Sequence, residues 1–185
     1  MSLGPRTKLA LIAALFAAPI VASTLVYLFG HPAATANHGE LLLPPATVSA
    51  GEFTLASGKP FSFAELRGRW ILATSDSGAC GTSCGAKLLA MRQVRLALGR
   101  DAERVARVLV VDDGRVPDAA VLAPYEGTEA VVAPKGSSLA AGAGDREHVY
   151  LVDPHGNVMM RWGAADDPRG MIKDLERLLK ASQIG

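Results

Sequence analysis

Hydrophobic and polar positions divide this chain into an uninterrupted apolar opening and a patterned remainder. From Leu9 to Gly30 there is no charged residue, and only Pro19, Ser23, Thr24 and Gly30 fall outside the apolar set. At about 1.5 Å per residue, a helix of that length crosses roughly the 30 Å hydrocarbon core of a bilayer. It is apolar on every face, unlike an amphipathic helix laid on a soluble core. Arg6 and Lys8 precede it, and the next lysine or arginine is Lys59. That asymmetry predicts a cytoplasmic tail over residues 1–8, a transmembrane helix over 9–30 and export of the rest. Tyr27 suits the outer interface. A cleaved signal peptide is the competing reading, with Ala34-Thr35-Ala36 as an A-x-A site. The apolar run, however, exceeds the usual h-region of about 7–15 residues. Either way the remainder is exported; with the anchor retained, the expected location is the inner (plasma) membrane, with the C-terminal part periplasmic or otherwise extracytoplasmic.

Residues 31–50 contain Pro32, Pro44 and Pro45 and no clear period, and read as a linker. Residues 51–185 then form one domain. Phe53-Thr54-Leu55 is a short strand, Ser57 to Pro60 a turn, and Ala64 to Gly68 a helical turn. Trp70 to Ser75 and Val105 to Val111 are apolar runs of the buried-strand kind. Between them, Leu88, Met91, Val94 and Leu98 recur at helical spacing, with Lys87, Arg92 and Arg95 off that stripe. Pro117 to Tyr125 predicts a further helix, and Ala130-Val131-Val132 a short strand. Pro134 to Gly144, rich in glycine, serine and alanine, reads as a surface loop. His148–Val152 and Val158–Trp162 flank an Asp-Pro-His-Gly-Asn turn as a hairpin. Asp166-Asp167-Pro168 caps a final helix with a stripe of Met171, Ile172, Leu175, Leu178 and Leu179. Helices alternating with buried strands predict a three-layer α/β domain.

Composition refines this picture. The chain has 185 residues, 49% of them hydrophobic, 20% charged and 5% aromatic. Disorder as a general state is excluded. With 19 basic against 18 acidic residues and a net charge of +1, nothing remains to neutralise phosphates, so no nucleic-acid partner is expected. Two cysteines cannot build a disulfide-dense scaffold.

Those two cysteines carry the chemistry. Cys80-Gly81-Thr82-Ser83-Cys84 follows a buried strand and opens the helix that comes after it. On a helix, residues i and i+4 share a face about 5–6 Å apart. That spacing suits two thiolates on one soft ion, or a disulfide after local adjustment. A helix N-terminus favours the thiolate, and an exported pair meets an oxidising compartment. Three readings stay open: a structural disulfide, a redox-active dithiol, and a site for Cu(I) or a similar soft metal.

Around the pair, Phe53-x-Leu55, Gly58-x-Pro60-Phe61, Leu66-Arg67-Gly68-Arg69-Trp70, Cys80-x-x-x-Cys84 and Tyr150-Leu151-Val152-Asp153-Pro154-x-Gly156 resemble the SCO/SenC family over most of residues 51–181. The resemblance implies a thioredoxin-like domain behind a single N-terminal anchor. It also implies a role in building the copper centre of cytochrome c oxidase, with the oxidase copper subunit or a periplasmic thiol protein as partner. The family's cysteines usually lie in a C-P-x-x-C-P pattern; here Gly81 and Gly85 replace both prolines. The family's third copper ligand is a histidine whose place falls near Asp145, and the nearest histidine is His148. The resemblance thus implies Cys80, Cys84 and His148 as ligands of Cu(I). Two alternatives stand beside it: a periplasmic thiol:disulfide oxidoreductase using Cys80 and Cys84 as catalytic pair, and a non-catalytic assembly factor with a structural disulfide. No proline just before His148 matches thioredoxin's cis-proline loop.

Other residues read more plainly. His155 lies in a turn, and His31 and His38 flank the linker. Met159 and Met160 point to opposite faces of a strand, so they cannot share one ion. Asp76 precedes the cysteine loop and either caps it or tunes the thiols. Asp112 and Asp113 read as turn residues.

Overall fold

A computed structural model describes residues 4–29, 37–134 and 137–182. It divides into two compact units, Met1–Ala36 and Asn37–Gly185.

The first unit holds helix α1, Pro5–Phe29, which is long and apolar enough to cross a membrane. It starts at Pro5, four residues before the apolar run. Proline, with no N–H to satisfy, suits a first helical position. The helix therefore carries Arg6 and Lys8, which were expected in a tail. Gly30, His31 and the Ala34-Thr35-Ala36 segment lie outside the described residues.

The second unit is built on an eight-stranded sheet. Its strands are β1 (Glu40–Thr47), β2 (Phe53–Leu55), β3 (Pro60–Phe61), β4 (Trp70–Asp76), β5 (Val105–Val111), β6 (Thr128–Val132), β7 (His148–Val152) and β8 (Asn157–Gly163). Across the sheet the order is β1-β8-β7-β4-β5-β6-β2-β3. Only the β4–β5 and β5–β6 pairs are parallel. Both strands of the first pair are buried along their whole length, as parallel strands covered on two faces must be.

Helix α2 (Thr82–Ala97) and helix α4 (Pro168–Ala181) lie against one face. There Leu88, Met91, Val94, Met171, Leu175 and Leu179 meet Leu72, Leu109, Leu151 and Trp162. Asp167 caps α4 by accepting the Arg169 N–H at 2.9 Å, as its sequence predicts. The opposite face is covered by the 3-10 turn Phe63–Leu66 and by residues near 139–143.

In the sheet-bearing unit, outside the cysteine loop, the structure departs from the sequence reading in four places. The expected linker contains β1, paired antiparallel with β8 from Glu40↔Arg161 to Thr47↔Asn157. Its register slips between Leu41 and Ala46, where Pro44 and Pro45 sit. Prolines cannot donate to a ladder and are tolerated on an edge strand, which hides the strand from a pattern search. Leu139, Ala140 and Ala143, expected in a surface loop, are buried against the sheet face opposite the helices. The helix expected over 117–125 is only α3, Ala119–Leu122, followed by a 3-10 turn, Ala123–Tyr125, that contains Pro124. Lys87, expected off the apolar stripe, is fully buried.

Candidate functional site

The site is assembled where the parallel strands β4 and β5 end. Chain leaving β4 at Asp76 turns through Ser77–Gly81 and enters α2 at Thr82. Asp113, just beyond β5, shapes this loop. Its carboxylate accepts the Ser77 hydroxyl at 2.6 Å, the Gly78 N–H at 3.1 Å and the Arg115 N–H at 3.1 Å. Led by the Ser77 bond, these lower the Asp113 pKa to about 2. Gly78 permits the approach: a Cβ there would stand 1.8 Å from the Arg115 carbonyl oxygen. Asp113 is thus an organiser of the cysteine loop. Its position just after a strand was readable in the sequence, but its contacts were not.

The Cys80 N–H donates to the Ser77 carbonyl at 2.9 Å, closing the turn. Cys80 adopts φ +41°, a left-handed conformation uncommon outside glycine. Cys80 and Cys84 are joined as a disulfide, with Cα atoms 5.0 Å apart. The two cysteines do not share a helix face as expected. Cys80 precedes the N-cap Gly81, and only Cys84 lies in the first turn of α2. The left-handed residue bends the chain back so that the bridge still closes. Cys80 is partly exposed, whereas Cys84 is buried.

Gly81 and Gly85 occupy different surroundings. Nothing lies within 4 Å of a Cβ built at Gly81, but one at Gly85 would stand 2.9 Å from the Tyr125 hydroxyl. Gly85 therefore lets Tyr125 close over the first turn of α2. Its N–H also donates to the Gly81 carbonyl at 2.9 Å, a bond that a proline could not make.

The strand and helix that flank the cysteine loop are joined by an ion pair. Lys87 Nζ reaches Asp76 Oδ2 at 2.9 Å and the Ser75 carbonyl at 2.9 Å, and also donates to the Arg146 carbonyl. All three ammonium donors are used, which is how a fully buried lysine is tolerated. Asp76 also accepts the Ser77 N–H at 2.8 Å. The sequence reading set Lys87 off the apolar stripe; its spacing three residues after Cys84 is the signal that could have found it.

His148 opens β7. Its Nδ1 lies 2.7 Å from Asp145 Oδ1. Asp145 also accepts the Tyr150 hydroxyl at 2.8 Å and the Glu147 N–H at 2.9 Å. Burial pushes the Asp145 carboxyl up, but the bonds from His148, Tyr150 and Glu147 outweigh it and hold the pKa below its ordinary value. The His148 carbonyl accepts the Thr74 hydroxyl at 2.9 Å. Among the described residues, no three of His, Cys, Asp and Glu converge as a metal cage. As donors, the cysteines suit a soft ion only after reduction, because in the disulfide their sulfurs bond each other. His148 would offer Nε2, since Nδ1 faces Asp145.

The remaining candidates take other roles. His38 is held by Asp174, and His155 is exposed in its turn. Met160 is buried, while Met159 on the opposite face of β8 is partly so.

Comparison with known proteins gives three findings. The family described as "Transmembrane-like, thioredoxin-like, C-terminal domain" matches residues 70–182. No curated protein matches the sequence. Among solved structures, the chain is similar to Bradyrhizobium japonicum ScoI with copper bound, at 19% identity and a TM-score of 0.55, over 71% of this chain and 99% of that one. Yeast Sco1 with copper bound gives 15% and 0.60, over 75% and 95%. BsSco, described as having a disulfide switch and as a member of the Sco family of cytochrome c oxidase assembly proteins, gives 17% and 0.57, over 72% and 94%. At these identities the likeness establishes a thioredoxin-like fold.

Proposed function

Because this chain belongs to the family with a transmembrane-like, thioredoxin-like C-terminal domain, we propose that it is a membrane-anchored factor of the Sco type. It serves cytochrome c oxidase assembly by thiol–disulfide exchange at Cys80 and Cys84. One observation carries this reading: the pair is a disulfide at the β4–α2 junction, with Cys80 partly exposed and Cys84 buried. A bridge across so short a loop stabilises a fold little, by about 2 kcal/mol in the chain-entropy model, so chemistry is its better use. One sulfur is open to a partner's thiolate, and the other can leave as thiolate at a helix N-terminus. The similar BsSco structure is described through a disulfide switch, which supports the same reading.

Helix α1 supplies the anchor. Arg6 and Lys8 at its start support an orientation with the N-terminus cytoplasmic and the cysteine domain extracytoplasmic, where a disulfide persists.

A second reading takes Cu(I) as cargo on the reduced pair. It is favoured by the copper bound in the similar ScoI and Sco1 structures and by two soft sulfurs on residues 5.0 Å apart at Cα. It takes His148 as third ligand, which would have to move toward the reduced cysteines, since among the described residues the three do not converge. In this reading reduction must precede loading.

The full-length protein in detergent, equilibrated with glutathione buffers, should interconvert between disulfide and dithiol. Membranes of cells carrying a Cys80→Ser/Cys84→Ser double variant should lose cytochrome c oxidase activity. Full activity in those membranes would overturn the proposal. For the cargo reading, the reduced protein should take one Cu(I) from a chromophoric chelator, and His148→Ala should weaken uptake. No uptake by the reduced wild type removes that reading.

A further inference from the structure

The Asp76–Lys87 pair is used by neither the exchange step nor the copper reading. Lys87 follows Cys84 by three residues in α2, so the two side chains are neighbours on one helix face, about 5–6 Å apart at Cβ. Both are sealed from solvent, at 1% exposure for Cys84 and 0% for Lys87. The ammonium cannot swing away, because Asp76, the Ser75 carbonyl and the Arg146 carbonyl occupy its three protons. Asp76 is as closely tied to the cysteine loop, since it accepts the Ser77 N–H and the Ser77 carbonyl accepts the Cys80 N–H.

We propose that the buried Asp76–Lys87 ion pair sets the reduction potential of the Cys80–Cys84 disulfide, with both residues acting as positioning residues through the charge they present to Cys84. The inference rests on the thiol–disulfide reading above. A dithiol partner supplies two electrons and two protons. Its first thiolate attacks the partly exposed Cys80 sulfur, the S–S bond breaks, and the electron pair departs on Cys84 as thiolate. The partner's second thiolate then attacks the mixed disulfide and releases Cys80. The partner leaves as a disulfide; one of its two protons ends on Cys80 and the other passes to solvent, so Cys84 remains a thiolate in the reduced protein.

Negative charge therefore appears on Cys84, in a low-dielectric setting where neighbouring charges act strongly. Lys87 favours that charge and Asp76 opposes it, so the intact pair holds the field near balance. Other charges around the loop are already engaged: Arg146 binds Asp112, Asp113 binds Ser77, and Asp145 binds His148.

The balance predicts shifts of opposite sign. Full-length protein in detergent is equilibrated with glutathione buffers at pH 7, and the reduced fraction is read by thiol alkylation and mass. Lys87→Met leaves Asp76 unopposed and should lower the equilibrium constant for reduction about tenfold, or about 30 mV. Asp76→Asn leaves the ammonium unopposed and should raise the constant about tenfold. The double variant should return to within about threefold of wild type. Should Lys87→Met fail to fold by circular dichroism, the near-isosteric Asp76→Asn decides alone. An unchanged or lowered constant in Asp76→Asn overturns the inference, as do shifts of one sign in both variants. A wild type that exchanges while its variants do not shift removes this inference alone; a wild type that does not exchange removes the function proposed above as well.

Discussion

Asp174 clasps His38. The α4 carboxylate accepts the His38 N–H at 2.9 Å and lies 3.2 Å from the ring Nδ1. It also accepts the Gly39 N–H at 2.9 Å and the Trp162 indole N–H at 3.1 Å. Asp174 is 1% exposed. This clasp fixes the first residues of the sheet-bearing unit just before β1.

Asp174→Ala leaves those donors without their acceptor, so a loss of about 3 kcal/mol is expected, read by urea denaturation. The pH dependence has a definite sign. Burial pushes the Asp174 carboxyl up, but the bonds from Gly39, His38 and Trp162 outweigh it and hold the pKa below the ordinary 3.8. A carboxyl depressed in the folded state stabilises above its unfolded value and loses that contribution as pH falls through the folded one. Stability should therefore decline below about pH 4, and Asp174→Asn should flatten the decline. An Asn variant with the wild-type acid profile would refute the assignment.

Asp113 is the second test. Its pKa of about 2 derives first from the Ser77 hydroxyl. By carboxyl NMR titration, Ser77→Ala should move the midpoint up toward 3.8. Because the folded value is depressed, the loop's order holds above the ordinary value and is lost as pH falls toward 2. At neutral pH, Asp113→Ala should speed amide exchange at Gly78 and Arg115 at least tenfold, leaving Val108 in β5 unchanged. Equal acceleration at Val108 would mean global destabilisation instead.

Gly85 and Tyr125 should couple. Alanine is a better helix former than glycine by about 1 kcal/mol, yet its Cβ at position 85 would stand 2.9 Å from the Tyr125 hydroxyl. Gly85→Ala should therefore bring little gain alone. In a Tyr125→Phe background it should stabilise by about 1 kcal/mol. A double-mutant cycle measured by thermal denaturation would show the difference, and additive effects would exclude the contact.

Much of the fold was legible because its signals are local. The stripe of Met171, Leu175 and Leu179 announced α4, and Asp167 with Pro168 marked its start. The runs Trp70–Ser75 and Val105–Val111 announced the central strands. Strand β1 was not legible, because Pro44 and Pro45 break its pattern and its partners lie far along the chain. The Arg161 side chain meets Glu40 at a separation of 121 residues.

The site divides along the same line. Sequence alone determined the apolar helix with its basic start, and a cysteine pair where a buried strand gives way to a helix. These follow from composition, periodicity and spacing, which act over a few residues. Only the tertiary structure decided that Cys80 bends back outside the helix, that Asp113 shapes the loop, that His148 faces Asp145, and that Lys87 is buried on Asp76. The contacts of Asp113 and Lys87 depend on separate elements of the chain meeting at one end of the sheet. The Cys80 turn and the His148–Asp145 pair span only three residues each, but the turn geometry that closes them is not written in the residue pattern.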